Sequence, residues 1–327
     1  MEIATRTSRK AILYSLRLLK PVVRLLLILP LRCYFRYIRS PYGKDILWKY
    51  LASHLWWFET HVEARTLFGN TLFVDAGEII GRYIYYFGLW EPNVTNWICE
   101  RLCPGDVFID VGANVGYYSL LASQLVGDSG RVIAIEPLSE LFHVLTQNLW
   151  RNNVRNVRTV NVAAWDVEDE VAIFTWPARP PGYTSVMPLW AKAWNLERHG
   201  QVHAKPLSTI LQAGEMKAAR IIKIDVEGAE WHVLSGMKSI LSGGREDLEL
   251  IVELTPSVLL SEGIRWRDVL SFFQAWGFNA YKIENSYLAE AYFHRSASSR
   301  PVRIEPTSMN AEDQMDVIFS RVDAAAL

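Results

Sequence analysis

From about residue 107 onward two hydrophobic periods alternate along the chain. Nearly continuous apolar runs, VFIDV, RVIAIEP, VRTVNVA, IIKIDVEG, LELIVEL and FNAYKIE, recur, most of them separated by amphipathic stretches such as SELFHVLTQNLWRNN and AEWHVLSGMKSIL. Runs that are apolar at successive positions suit strands buried on both faces of a sheet, and the helical stretches supply the crossovers between them. The pattern predicts an α/β fold with a doubly wound, mostly parallel sheet. A last run, MDVIFSRV, follows no helical stretch and is expected to pair antiparallel as an additional strand.

Earlier in the chain, Pro92 opens a helical pattern that stops at Pro104-Gly105. TLFVDAGEIIGRYIYYF reads as two β-like runs about an Asp-Ala-Gly turn, and LWKYLASHLWWFETHVEA as a Trp-rich helix. TWPARPPGYTSVMPLW, rich in Pro and aromatics, reads as a long loop over the binding edge of the sheet. The domain division expected is a basic, apolar helical extension over residues 1–66 and one α/β domain over residues 67–327.

Charge changes the picture only at the start. Residues 1–44 hold ten Lys and Arg against one acid, Glu2, so a net charge of −1 for 327 residues divides into +9 there and −10 elsewhere. The basic residues are interleaved with Leu, Ile and aromatics, and the longest uncharged run, 25–31, falls far short of the ~20 residues that span a bilayer. Such a segment suits the surface of an anionic membrane, with Arg reaching phosphates and Leu entering the acyl boundary. The competing reading is a helical hairpin, broken at Pro21 and Pro30, that packs on the main domain. The location expected is cytoplasmic, peripheral on the inner face of a membrane if the first reading holds. Nucleic acid is not an expected partner, because no recognition motif accompanies the charge. Cys33, Cys99 and Cys103 make neither a disulfide framework nor a zinc spacing and read as buried thiols.

The candidate chemistry gathers where VFIDVGANVGYYSLLA passes from strand to helix. A turn of this kind opens a crevice beside a helix N-terminus, and Gly112 and Gly116 would let a ligand approach the backbone. The spacing departs from G-x-G-x-x-G and lacks the Lys-Ser/Thr of a phosphate-binding loop, while Asn114 tolerates left-handed angles. Asp110 would repel a pyrophosphate and attract an ammonium group. Glu136 ends the next strand, where an acid accepts from ribose hydroxyls, or it caps the helix that follows Pro137.

These pieces resemble class I S-adenosylmethionine-dependent methyltransferases, specifically the FkbM family, through GLWEPN, PGDVFIDVGANVGYYSLLA, IAIEP, VNVAAWD and IIKIDVEGAEWHVLSGM. The resemblance implies a Rossmann-like sheet of seven strands and S-adenosylmethionine as cofactor. It puts Asp110, Gly112, Asn114 and Gly116 around the methionine part, Glu136 at the ribose, Ala163 and Ala164 beside adenine, with Asp166 near them or in a turn, and Glu91 near the cofactor entrance. Pro206-Leu207-Ser208 departs from the family's habit of an Asp after an apolar residue there, which bears on the substrate.

Asp225 and Glu227 end the fourth strand and would orient an acceptor, take its proton or hold a divalent ion, although a metal is not favoured. Glu227 and Glu230 would otherwise favour the following helix N-terminus. Lys223 lies on the same alternating face, as pocket residue or charge partner. Glu253 ends the fifth strand as acceptor-side group or helix cap, and Tyr183, Thr184 and Ser185 are placed to close over a polar acceptor. Trp176, Trp190 and Trp194 would stack on a sugar or pack the loop. His232 reads as solvent-facing, and His199 and His203 show no ligand spacing. The implied activity is O-methylation of a sugar or related polar small-molecule or glycan acceptor. The alternatives are an NAD-linked oxidoreductase and a non-catalytic, membrane-associated scaffold.

Overall fold

The computed structural model describes residues 21–38, 40, 42–52, 54–55, 61–176, 184–293, 299–304 and 314–327. They divide into two compact units, one drawn from Met1–Gly69, Val74–Trp90 and Tyr287–Ser296, the other from Asn70–Phe73, Glu91–Ser286 and Ala297–Leu327. In chain order the strands are β1 (Val62–Arg65), β2 (Thr71–Val74), β3 (Val107–Val111), β4 (Arg131–Ile135), β5 (Val157–Val160), β6 (Ala163–Trp165) and β7 (Asp169–Thr175). They continue with β8 (Thr184–Ser185), β9 (Glu197–Pro206), β10 (Ala219–Ile224), β11 (Glu249–Leu254), β12 (Asn279–Ile283), β13 (Val302–Arg303) and β14 (Met315–Ser320).

In the second unit an eight-stranded sheet has the order β13-β12-β14-β11-β10-β3-β4-β5. From β11 to β5 every pairing is parallel, and β14 enters antiparallel between β11 and β12. Strands β3, β10, β11 and β14 are buried at every position, which is why their sequences carry almost no polar alternation. All seven expected strands are present, MDVIFS antiparallel among them. The eighth, β13, is a two-residue edge whose sequence carries no strand pattern.

The chain leaves β3 for β4 and β5 and later returns to β10 on the opposite side of β3. The strand order reverses there, so the crevice of a doubly wound sheet opens beyond the carboxyl ends of β3 and β10. Register sets Lys223 beside Asp110 and Ile224 beside Val111 at that place.

Several local expectations give way to tertiary context. VRTVNVA is not one strand: it leaves the main sheet after Val160 and resumes as β6 in a second sheet of order β6-β9-β7-β8. Asn161 holds this break, its Nδ2 donating to the carbonyls of Glu136 and Pro137 at 2.8 and 2.9 Å. The segment carrying His199 and His203 is the ten-residue strand β9, whose outer face is polar and whose partners lie far off in sequence. Of the long loop, Tyr183 lies outside the described residues, as does the side chain of Trp190. AEWHVLSGMKSIL forms two helices, Glu230–Ser235 and Lys238–Gly243. All three cysteines are exposed rather than buried.

In the first unit, IIGRYIYYF is the helix Ile79–Phe87 and not a strand. Its β-branched and aromatic residues favour strands, but Tyr83 to Phe87 are all buried, and burial of the whole turn overrides propensity. The aromatic rings of Phe35, Trp48, Tyr83, Phe87, Tyr292 and Phe293 pack edge-on and stacked in this unit. Pro30 does not break the described part of the arm, and a break at Pro21 would involve residues outside the described ones. Helix runs from residue 21 to Tyr37, and a π-helical turn at Arg24–Ile28 precedes Pro30, which stands in the first turn of Leu29–Tyr37 where its missing donor is tolerated. No helix among the described residues is long and apolar enough to cross a membrane.

Candidate active site

The turn after β3 needs left-handed backbone at three positions, Gly112 (φ 86°), Asn114 (φ 50°) and Gly116 (φ 90°). The space a Cβ would take is filled by the protein itself. At Gly112 it would lie 1.8 Å from the carbonyl oxygen of Asp225, and at Gly116 2.6 Å from Cδ1 of Leu145. The glycines therefore let β3 and its following helix, Tyr117–Val126, close against β10 and the helix Ser139–Arg151. This packing role stands beside the expectation that bare backbone there serves ligand approach.

Glu136 fastens the turn. Its Oε2 accepts from the Asn114 N–H at 2.9 Å and its Oε1 from the Leu138 N–H at 3.0 Å, so it does cap the chain after Pro137 while each oxygen keeps lone-pair capacity. Burial pushes its pKa up to about 7 despite those two donors. Asp110 is also buried and accepts from the Ser119 hydroxyl at 2.6 Å. Burial raises its pKa to about 6, with the Lys223 ammonium opposing. Ala163 and Ala164 are buried in β6, in register with Ala204 and Lys205 of β9. Asp166 faces His232.

A second group of charges lies at the ends of β10, β11 and β14. Lys223 is 3% exposed and donates to Oδ2 of Asp225 at 2.7 Å, with its Nζ 4.7 Å above the Tyr118 ring. Tyr118 donates to Oε2 of Glu91 at 2.5 Å. Glu91, expected at an entrance, is only 2% exposed and takes a left-handed φ of 41° just before the helix Pro92–Arg101. Asp316 lies opposite Glu253 in the β11–β14 register and accepts from Asn285 Nδ2 at 2.6 Å. Gln314 Nε2 donates to Glu253.

The titrations of this group follow from its single cation. Burial alone would discharge Lys223, but Asp225, Glu91 and Asp110 outweigh it and hold the ammonium above its ordinary value. Burial alone would likewise protonate Asp225, but Lys223 and a hydrogen bond from Glu253 outweigh it and keep its pKa low. Glu253 is driven well above the carboxylate range by burial and then by Asp225 and Asp316. Burial and the Glu91 charge lift Asp316 to about 8, and burial raises Glu91. Asp225 is thus the carboxylate of the group whose ionised form is favoured, beside the ammonium, while burial raises Glu91, Glu253 and Asp316. Asp225 keeps 24% of its side chain exposed, the opening a reacting group needs.

Glu227, in left-handed backbone at φ 53°, brings a carboxylate oxygen within 4.8 Å of those of Asp225 and Glu253. That trio offers a divalent ion three oxygens, but Lys223 already occupies Asp225. Glu230 caps the intervening turn, accepting from the N–H groups of Gly228 and Val226 at 3.0 and 3.4 Å. Ser185 donates to the Glu227 carbonyl at 2.7 Å, so it fixes the turn instead of facing an acceptor. Thr184 is half-buried beside it. Trp176 donates through Nε1 to the Trp194 carbonyl at 3.1 Å, a contact that packs the loop. His232 is not solvent-facing: it stacks on Trp165 at 3.8 Å and bridges Asp166 and Glu262, each at 3.2 Å. His199 and His203 pair with Glu140 and Glu170.

Sequence reasoning missed Ser119, Tyr118, Asn161, Asn285 and Asp316. Asp316 carried a usable signal, since a lone acid within an otherwise apolar strand is a charge that burial makes costly unless it has partners.

With this geometry in view, comparison with known proteins decides the family. The model of the methyltransferase FkbM domain matches residues 110–280, just over half of the chain. The chain belongs to the FkbM methyltransferase family. Membership brings the family's methyl donor with it, and the cofactor is S-adenosylmethionine. It lends no support to the oxidoreductase or scaffold alternatives. Methyltransferase 1 of Beauveria bassiana is 28% identical over 150 residues, which are 41% of this chain and 59% of that protein. Hexuronic acid methyltransferase AglP of Haloferax volcanii is 26% identical over 153 residues, 46% of this chain and 58% of that protein. The chain thus spans under two thirds of the length of these relatives. Among solved structures, an S-adenosylmethionine-dependent O-methyltransferase of Thermotoga maritima aligns over 80% of this chain and 78% of its own, at 13% identity and a TM-score of 0.38. A likeness at that score says nothing of function.

Proposed function

We propose that the protein transfers a methyl group from S-adenosylmethionine to a hydroxyl oxygen of a sugar or a related polar acceptor. The observation that carries this reading is Asp225, held ionised by Lys223 at the mouth of the β3–β10 crevice in a chain of the FkbM family. The hexuronic acid methyltransferase among its relatives supports a sugar as acceptor.

The residues fit the donor. Asp110 in β3 and Glu136 just after β4 are both raised by burial, so a ligand ammonium near Asp110 and hydroxyl donors at Glu136 would each relieve an unfavourable charge. Gly112, Asn114 and Gly116 hold the turn between them, and Ala163 and Ala164 offer a small apolar wall for adenine. Glu91 acts at one remove, through Tyr118 and Lys223. The sulfonium supplies an activated methyl when bound. Asp225 takes the proton of the acceptor hydroxyl as its oxygen approaches in line, and positioning contributes much of the rate. Glu227 and Glu253 border the same opening and orient further acceptor hydroxyls. Asp225, Glu227 and Glu253 could hold a divalent ion, but one is not favoured, because Lys223 already pairs with Asp225.

Replacing Asp225 with Asn keeps the shape and removes the base. The D225N protein is expected to bind S-adenosylmethionine normally by calorimetry and to lose methyl transfer by about 100-fold or more. Full turnover on a hydroxyl acceptor by D225N would overturn the assignment.

A further inference from the structure

The helix over residues 21–37 is apolar on more than one side: Ile28, Leu31 and Phe35 are buried, yet Val22, Leu25, Leu26 and Tyr37 are exposed. Surface helices turn apolar residues inward and charges outward. Arg24 is exposed, but two further arginines turn in: Arg32 donates to the Tyr85 carbonyl at 2.9 Å with its guanidinium 3.8 Å over the Tyr85 ring. Arg36 is buried and donates to the carbonyls of Ile84 and Tyr85 at 2.8 and 3.0 Å. Lys44, just beyond, is buried on the Ile38 carbonyl at 2.6 Å. These three are therefore not the phosphate-reaching groups that the sequence suggested.

One exposed row of the helix carries no charge. Val22, Leu26, Pro30, Cys33 and Tyr37 follow at steps of three or four, all exposed, and Leu25 flanks them. Leu25 and Leu26 are 64% and 65% exposed, so apolar surface stands in water along this row. The sequence that leads into this helix has the opposite character, with Arg6, Arg9, Lys10, Arg17 and Lys20 against Glu2 alone.

We propose that this face of the helix docks on an anionic phospholipid surface, lying in the plane of the bilayer. The leucine row enters the boundary between headgroups and acyl chains, and the basic leading segment meets the headgroup charge. At 1.5 Å per residue the helix covers about 25 Å, a length that suits lying flat, and its inward arginines forbid spanning. The charge is what selects lipid over a second copy of the chain, because a second copy would bring the same positive surplus to the contact.

The full chain is sedimented with vesicles of phosphatidylcholine containing about one quarter phosphatidylglycerol, and with phosphatidylcholine alone. Binding to the anionic vesicles only, weakened by high salt, is expected. Leu25→Ser with Leu26→Ser should weaken it by about tenfold or more while leaving the melting temperature and S-adenosylmethionine binding unchanged. Arg9→Glu with Lys10→Glu should weaken it by a similar factor. Absence of binding to anionic vesicles overturns the proposal, as does undiminished binding by both variants. A dimer in solution that the leucine variant converts to monomer, with no vesicle binding, would assign the face to a second copy and equally overturn it.

Discussion

Replacing Lys223 with Met removes the one cation of the buried group at nearly constant volume. In the protein its ammonium sits 2.7 Å from Asp225, a separation worth about 6 kcal/mol at an effective dielectric constant of about 20. Desolvation offsets part of that, and removing one partner of a buried pair costs about 3–5 kcal/mol net. Water reaches the quarter of Asp225 that is exposed, so the lower end, about 3 kcal/mol, is expected. Spread over one titration this is about 2 pH units. Because Asp225 acts ionised and its folded pKa is depressed, wild-type kcat should hold well into acid and fall only as pH drops through that low value. In K223M, burial and the neighbouring acids act unopposed, so the acid limb should rise by about 2 units, with kcat falling in mildly acid solution while kcat at neutral pH changes little. The assay is the pH dependence of methyl transfer at saturating S-adenosylmethionine, with cofactor affinity measured alongside by calorimetry. An acid limb that stays in place in K223M, with the cofactor bound normally, would refute both the pairing and the role given to Asp225.

Gly112→Ala meets two penalties, a φ of 86° and a Cβ 1.8 Å from the Asp225 carbonyl, and should cost about 3 kcal/mol or more in chemical denaturation. Gly69→Ala, at a φ of 97° in open space, should cost only about 1–2 kcal/mol; equal losses at the two sites would contradict the packing role of Gly112. Asp316, raised to about 8, binds its proton more tightly folded than unfolded, so its contribution favours the folded state in acid and is lost as pH rises through about 8. Asp316→Asn should flatten the fall in melting temperature between mildly acid and mildly alkaline pH, and an unchanged slope would show that Asp316 is not buried in the charged group.

The sheet was legible because burial on both faces writes itself into sequence as uninterrupted apolar runs, and β3, β4, β10 and β11 are such runs. Strand β9 was not, because ERHGQVHAKP lies half in water and is defined by its pairing with β7. The helix Ile79–Phe87 was misread for the converse reason, since residues that prefer strands are held helical by an aromatic core assembled from distant segments. At the site, Asp110, Glu136 and Asp225 were found because strand ends are where such sheets place polar groups. Tyr118, Asn285 and Asp316 were not, since what brings them to Lys223 is topology, and no spacing records it. The packing role of the glycines was not legible, because sequence shows that a Cβ is missing without showing what fills its place.

The position of β14 bears on how the protein is made. It is the last strand in the chain, yet it lies inside the sheet, between β11 and β12. During synthesis the flank of β11 must therefore wait open, a sticky backbone edge, until Ser320 has emerged from the ribosome. Asp316 arrives with that closing strand, so a nascent chain short of it has no finished charged pocket, and the unclosed edge is where a chaperone would be needed.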